Sequence, residues 1–232
     1  MPAKDNKQAS EGATRRKLIE AGVRLFGLHG FEATSTRALA AAAGVNLGSI
    51  LYHFGGKEGL YRAALEDIVE YKLKELGPRL DAVLAVSADA SAGRETLLET
   101  LRALVRTMVE VMLGSEQSLA FSQIMMQEQI APTPAFNLLY HGFFEKVYAA
   151  WASLLGRLTG LPQDGMELRL RTLSIMGQFV IFRVGLKTTL RRLGCEELSA
   201  GIMESIVRLG IQQVEAILNG FAPVDTPACA RP

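Results

Sequence analysis

Residues 36–54 read Thr-Arg-Ala-Leu-Ala-Ala-Ala-Ala-Gly-Val-Asn-Leu-Gly-Ser-Ile-Leu-Tyr-His-Phe. This stretch decides the fold. Ser35 or Thr36 can cap a short helix through Ala43, because either hydroxyl accepts a free N–H of the first turn. Gly44 then suits a positive φ, which reverses the chain sharply. Asn46 can cap a second short helix that runs to about Phe54, where Gly55-Gly56 breaks it. Ala40, Val45 and Ile50 can pack the two helices together. Helix, tight turn and helix make the geometry with which a second helix enters a DNA major groove.

Leu47, Gly48 and Ser49 open that second helix with small or apolar groups at the end nearest a groove. Gly48 costs helix stability. It serves either close approach to a base edge or packing against another helix. Tyr52, His53 and Lys57 follow where phosphates would lie.

Outward from this motif, helical periodicity dominates and strand-like alternation is nearly absent. Leu18, Ala21, Leu25 and Leu28 form an apolar stripe on a helix that Gly30 stops. A helix from Lys57 is expected to end at Leu76-Gly77-Pro78, since proline cannot continue it. Residues 86–93 read as a loop. Further helices are expected over Arg94–Leu113, from a Ser115 cap to before Ala131-Pro132, and from Thr133-Pro134 to Thr159. Another is expected from an Asp164/Glu167 capping box to about Arg191, and a last one over Glu196–Asn219. The fold is therefore all-α. Residues 10–56 form a helix-turn-helix domain and residues 57–221 a larger helical domain, with 57–76 as the connecting helix. Residues 1–9 and 222–232 are expected to be flexible tails.

The charge favours the N-terminal part. The chain of 232 residues has 25 Lys/Arg and 24 Asp/Glu, so no basic coat covers it. Within residues 1–60, Lys4, Lys7, Arg15, Arg16, Lys17, Arg24, Arg37 and Lys57 outnumber Asp5, Glu11, Glu20, Glu32 and Glu58, for +3. The remainder carries −2, a sign that suits an N-terminal DNA-binding unit. Cys195 and Cys229 give no disulfide framework. No signal peptide is visible, and the apolar stretch Leu173–Leu186 is too short to span a bilayer. The expected setting is the cytoplasm.

An enzyme is the competing class. No phosphate-binding loop, nucleophile elbow, His-Glu-x-x-His or Cys-x-x-Cys is present. Three scattered histidines make no metal-ligand spacing. No catalytic residue, metal or cofactor is expected. A helical protein-interaction adaptor is a third class.

The sequence resembles the TetR family of bacterial transcriptional repressors. The matching features are Leu25-Phe26, Gly30, Thr34-Ser35-Thr36-Arg37, Ala40, Ala43-Gly44-Val45, Gly48, Tyr52-His53-Phe54 and Lys57-Glu58-Gly59-Leu60. The spacing matches through residues 14–61. Gln127–Phe136 and Phe182–Thr188 look like the CecR-like branch. The resemblance implies phosphate contacts from Thr36, Tyr52, His53 and Lys57, a DNA contact from Arg37, and base contacts from Leu47 and Gly48. With Asn46 and Ser49 these are the candidate DNA-binding residues. Three positions depart from the family. Leu51 stands where tyrosine is frequent, so one aromatic contact is missing or replaced by packing. Leu47 stands where Lys or Arg is frequent, so it lacks donors for guanine. The acid often found at the Ala38 position is also absent.

The resemblance further implies a ligand-responsive repressor that binds palindromic DNA as a homodimer. Met108, Met112, Phe121, Met125, Tyr140, His141, Phe143 and Met176 are candidates to line a pocket for a small, largely apolar effector, with Gln123 adding polarity. The same residues also read as ordinary core, and His141 as a partly buried polar group. Apolar stripes on the last two helices predict a dimer interface that includes Met176, Val180, Val184, Leu198, Ile202 and Leu209. A DNA-binding dimer with no small-molecule switch is the alternative.

Overall fold

Caps and glycines punctuate the chain largely where the sequence places them. The computed structural model describes residues 2–114 and 116–220, with side chains for 11–114 and 121–220. Every regular element among these residues is helical. In chain order they are α1 (Pro2–Ala33), α2 (Thr36–Ala43), α3 (Gly48–Phe54), α4 (Lys57–Ala88), α5 (Arg94–Leu113), α6 (Glu116–Ile130) and α7 (Phe136–Leu139). A π-helical turn, Tyr140–Phe144, leads into α8 (Glu145–Thr159). Then come α9 (Met166–Val184), α10 (Leu186–Leu193) and α11 (Ala200–Asn219).

The chain packs as two compact units. One holds the residues up to Leu73 together with Glu116–Phe143; the other holds Lys74–Ser115 and the chain from Phe144 onward. The first unit joins α6 to the helix-turn-helix head, because α6 packs against α1. In the first unit Leu18, Phe26, Leu39, Ile50, Leu60, Leu65 and Ile68 are buried together with Ile124. Each such side chain contributes roughly 1.5–3 kcal/mol. Gln127 Nε2 donates to the Gly27 carbonyl at 2.9 Å, fastening α6 to α1. In the second unit the fully buried Trp151 of α8 lies 6.2 Å, ring to ring, from Phe179 of α9; Leu101 and Val105 of α5, Ile175 of α9, and Val207 and Val214 of α11 are buried in the same unit. Gly210 permits the α9–α11 approach: a Cβ there would lie 2.4 Å from the Phe179 ring.

Several boundaries differ from expectation. α1 begins at Pro2, inside the expected tail; Ala3, Lys4, Lys7, Gln8 and Ala9 are good helix formers. Gly30 does interrupt it, at φ 82°. On its stripe Leu28 is exposed, and Ile19 and Phe26 take the inner positions. α4 does not end at 76–78 but continues through Pro78 to Ala88. Leu76, Leu80 and Val83 are buried on both sides of the proline, and this burial offsets the one backbone hydrogen bond that proline removes. The loop over 86–93 is thereby shortened.

The helix expected from Thr133 starts at Phe136. Thr133 Oγ1 instead accepts from the Ala135 N–H at 3.2 Å. Asp164 and Glu167 form no capping box. α9 starts at Met166 after Gly165, which gives no side-chain cap, and Glu167 pairs with Arg171 at 2.8 Å. Gly185 separates α9 from α10, so no single helix reaches Arg191. α11 begins at Ala200 rather than Glu196, because Ser199 caps it through the Ile202 N–H. Ser115 and the tail at 222–232 lie outside the described residues.

Candidate nucleic-acid interface

Local chemistry sets the ends of α2 and α3. Ser35 Oγ accepts from the Ala38 N–H at 3.1 Å, capping α2. Gly44 closes that helix at φ 63°, a conformation costly for any residue with a Cβ. Asn46 Oδ1 accepts from the Gly48 N–H at 3.0 Å, which fixes the start of α3. Ala40 and Ile50 are buried at the contact of the two helices, and Val45 is half-buried. Gly59 fixes the exit: a Cβ there would lie 1.8 Å from the Phe54 carbonyl oxygen, so α4 can start this close only with glycine.

With Ile50 turned inward, α3 presents Leu47, Gly48, Leu51 and Tyr52 to solvent. Arg37 and Asn46 are exposed beside them, while Thr36, Ser49 and His53 are half-buried. Leu51 is 70 % exposed and Tyr52 72 %, so packing has not replaced the aromatic contact at Leu51. A Cβ at Gly48 would meet only Asn46 Oδ1, at an unstrained 3.7 Å. The helix-packing reading of Gly48 therefore has no support among the described residues.

Lys57 is engaged differently from the expected phosphate contact. Its Nζ donates to the Phe31 carbonyl at 2.9 Å and lies 4.2 Å from the centre of the Phe31 ring. The ammonium thus ties the start of α4 to the end of α1. Arg15 stacks over Phe54 at 5.5 Å. Arg16 pairs with Glu20 at 2.9 Å and with Asp67.

Sequence reasoning missed a buried polar cluster behind this surface. Glu128 on α6 is 1 % exposed. It accepts from the Tyr61 hydroxyl at 2.5 Å, the Thr133 N–H at 3.1 Å and the Thr133 hydroxyl at 2.9 Å. Burial, reinforced by the bond to Glu128, raises the Tyr61 phenol well above its ordinary value. The Tyr61 ring also packs edge-on against Phe26 at 4.8 Å. The one signal in sequence is a lone acid before the Ala131–Pro134 turn.

The expected pocket residues divide between the units. Phe121, Met125, Tyr140, His141 and Phe143 belong to the first; Met108, Met112 and Met176 belong to the second. Phe121 is buried against Tyr71, with rings 5.1 Å apart. Met108, Met112, Gln123, Met125, Phe143 and Met176 are half-buried. Tyr140 and His141 are exposed on the π turn, so His141 is not the partly buried group expected. The turn approaches α4 closely at Gly142, where a Cβ would lie 2.9 Å from Val69. Of the expected dimer residues, Val184 and Leu209 are more than half exposed. Met176, Val180, Leu198 and Ile202 are half-buried. On α11 the stripe of Val207, Val214 and Leu218 faces inward.

Comparison with known proteins bears on this surface. The family described as "Bacterial regulatory proteins, tetR family" matches residues 18–64. "HTH-type transcriptional dual regulator CecR, C-terminal domain" matches residues 97–221. The chain is a TetR-family transcriptional regulator of the CecR branch. A relative in Shigella flexneri, "HTH-type transcriptional dual regulator CecR", is 27% identical over 208 residues, covering 90% of this chain and 92% of that protein. The repressor KstR2 of Rhodococcus jostii is 29% identical over 130 residues, 56% of this chain and 57% of that one. Among solved structures, AibR in complex with isovaleryl coenzyme A and operator DNA superposes with a TM-score of 0.62 at 16% identity, covering 86% of this chain and 97% of that chain. A transcriptional regulator from Rhodococcus sp. Rha1 gives 0.59 at 18% identity, covering 87% and 96%. These relatives are regulators and not enzymes. Among the described residues no helix is long and apolar enough to cross a membrane, and no group of three or more His, Cys, Asp or Glu could hold a metal ion.

Proposed function

We propose that this TetR-family regulator is a cytoplasmic homodimeric repressor, released from a palindromic operator by a small, largely apolar molecule. The observation that carries the DNA reading is the outer face of α3. Leu47, Gly48, Leu51 and Tyr52 are exposed together, and no packing among the described residues calls for the glycine. Close approach to base edges accounts for both facts. Thr36, Arg37, Asn46, Ser49 and His53 contact the flanking DNA, phosphates above all, in this reading. Residues 10–56 act as the DNA-reading head and residues 57–221 as the effector and dimer domain.

Dimerisation sets the spacing of the heads, which must match successive major grooves roughly 34–36 Å apart. The exposed apolar side chains of α9 and α11, Val184 and Leu209 among them, support pairing through these helices. Within the second unit, the half-buried methionines at 108, 112 and 176 support an adaptable apolar effector site. AibR, of similar fold, is seen in complex with isovaleryl coenzyme A and operator DNA, which supports a chain of this fold holding a small molecule as well as DNA. By linkage, the effector binds the DNA-free dimer more tightly, typically by about 1–3 kcal/mol.

The test is to recover genomic fragments bound by the purified protein and to measure affinity for the recovered site. A palindromic site bound far more tightly than unrelated duplex, and released by a compound shown to bind the protein, supports the whole reading. Affinity that no bound compound changes leaves a DNA-binding dimer without a switch. Equal affinity for all duplexes removes the operator reading.

A further inference from the structure

Helix α9 carries a glycine for which the described residues of its own chain give no reason. Gly177 lies inside Met166–Val184 and is exposed. A Cβ built there meets no atom of the described residues within 4 Å, and its φ is not positive. An exposed glycine in a helix interior costs about 1 kcal/mol relative to alanine. Gly210 on α11 shows the contrast, since packing against Phe179 requires glycine there.

The residues around Gly177 are arranged symmetrically about it. Leu173 and Ile181 lie one turn before and after; Leu170 and Val184 lie two turns before and after. All four are 52–58% exposed. At 3.6 residues per turn, the five positions share an arc of roughly 80°. The opposite side of the helix, with Leu168, Thr172, Ile175 and Phe179, is buried in its own unit. α9 thus has one face in the core and a second apolar face with a gap at its centre.

We propose that α9 crosses the α9 of a second copy at Gly177, antiparallel, with the two-fold axis of the homodimer passing between the two glycines. This rests on the homodimer reading above and specifies its geometry. In an isologous contact, residue i touches j and j touches i. An antiparallel crossing centred on Gly177 sets Leu173 against Ile181 of the partner subunit, and Leu170 against Val184 of the partner subunit. Only a pattern symmetric about the crossing point fills both ends equally, and that is the pattern present. The missing side chain lets the helices approach toward the lower end of the usual 8–10 Å.

The experiment uses the full chain with Cys195 and Cys229 replaced by serine. Gly177→Cys should give a disulfide-linked dimer under mild oxidation, and Glu99→Cys on α5 should not. Leu173→Lys should weaken self-association by sedimentation, by roughly 100-fold. Adding Ile181→Glu to the same chain should restore most of it, since the crossing brings the two new charges together across the axis. Circular dichroism reports whether each variant folds. A wild-type dimer in which Gly177→Cys does not cross-link and Ile181→Glu gives no rescue overturns the crossing while the dimer stands. A wild-type monomer at micromolar concentration overturns the dimer and the crossing with it.

Discussion

The Tyr61 hydroxyl reaches the Glu128 carboxylate at 2.5 Å, with the tyrosine 3 % and the glutamate 1 % exposed. The phenol must stay protonated to donate. Its folded value lies above the ordinary 10.0, through burial first and Glu128 second. Folding therefore favours the protonated form. The stability this adds is fully present below about pH 10 and is lost as pH rises from there toward the folded value. Tyr61→Phe should cost about 1–3 kcal/mol at neutral pH, because the buried carboxylate loses a donor. It should also flatten the alkaline fall in stability. Urea midpoints for both proteins at neutral pH and near pH 10.5 check this; parallel curves would refute it.

Gly48→Leu should leave the fold intact, since a Cβ at this position meets only Asn46 Oδ1 among the described residues, at an ordinary contact distance of 3.7 Å. Operator affinity should fall to the level of unrelated duplex, because the larger side chain holds the backbone off the base edges. Fluorescence anisotropy on both duplexes, with circular dichroism as the control, decides it.

Arg37 and Lys57 should separate. Arg37 is exposed on α2, so Arg37→Ala should weaken binding on every sequence and reduce the salt slope by about one, with an unchanged melting temperature. Lys57 is bonded to the Phe31 carbonyl. Lys57→Ala should lower stability by about 1–2 kcal/mol through the lost charged hydrogen bond and ring contact. Thermal melts beside salt titrations measure both effects.

Gly210→Ala tests the second unit. The added methyl collides with the buried Phe179 ring, and overpacking of this kind costs typically about 1–3 kcal/mol. A denaturant midpoint equal to that of the wild type would show that α9 and α11 do not pack as described.

The sequence made the head legible because its signals are local. Ser35, Gly44 and Asn46 each act within a few residues, and the structure finds α2 and α3 where those residues place them. Pro78 misled because its effect depends on what lies around it: burial of Leu76, Leu80 and Val83 carries the helix past a residue that locally argues for a stop. Glu128 escaped for a related reason. Its partner Tyr61 lies 67 residues away in sequence, and no spacing rule joins them. The site split the same way. The exposed face of α3 follows from helical period, whereas the engagement of Lys57 with Phe31 needed the tertiary fold.

Pro78 leaves a mechanical signature on α4. It has no N–H to give to the carbonyl of Lys74, so the ladder of an otherwise continuous 32-residue helix lacks a rung there. The division between the two compact units falls at the same turn, between Leu73 and Lys74. A rod missing one rung bends most easily at that rung. Bending compliance therefore concentrates over residues 74–78, and the backbone amides beside that turn should exchange with deuterium sooner than those one turn deeper in either half of the helix.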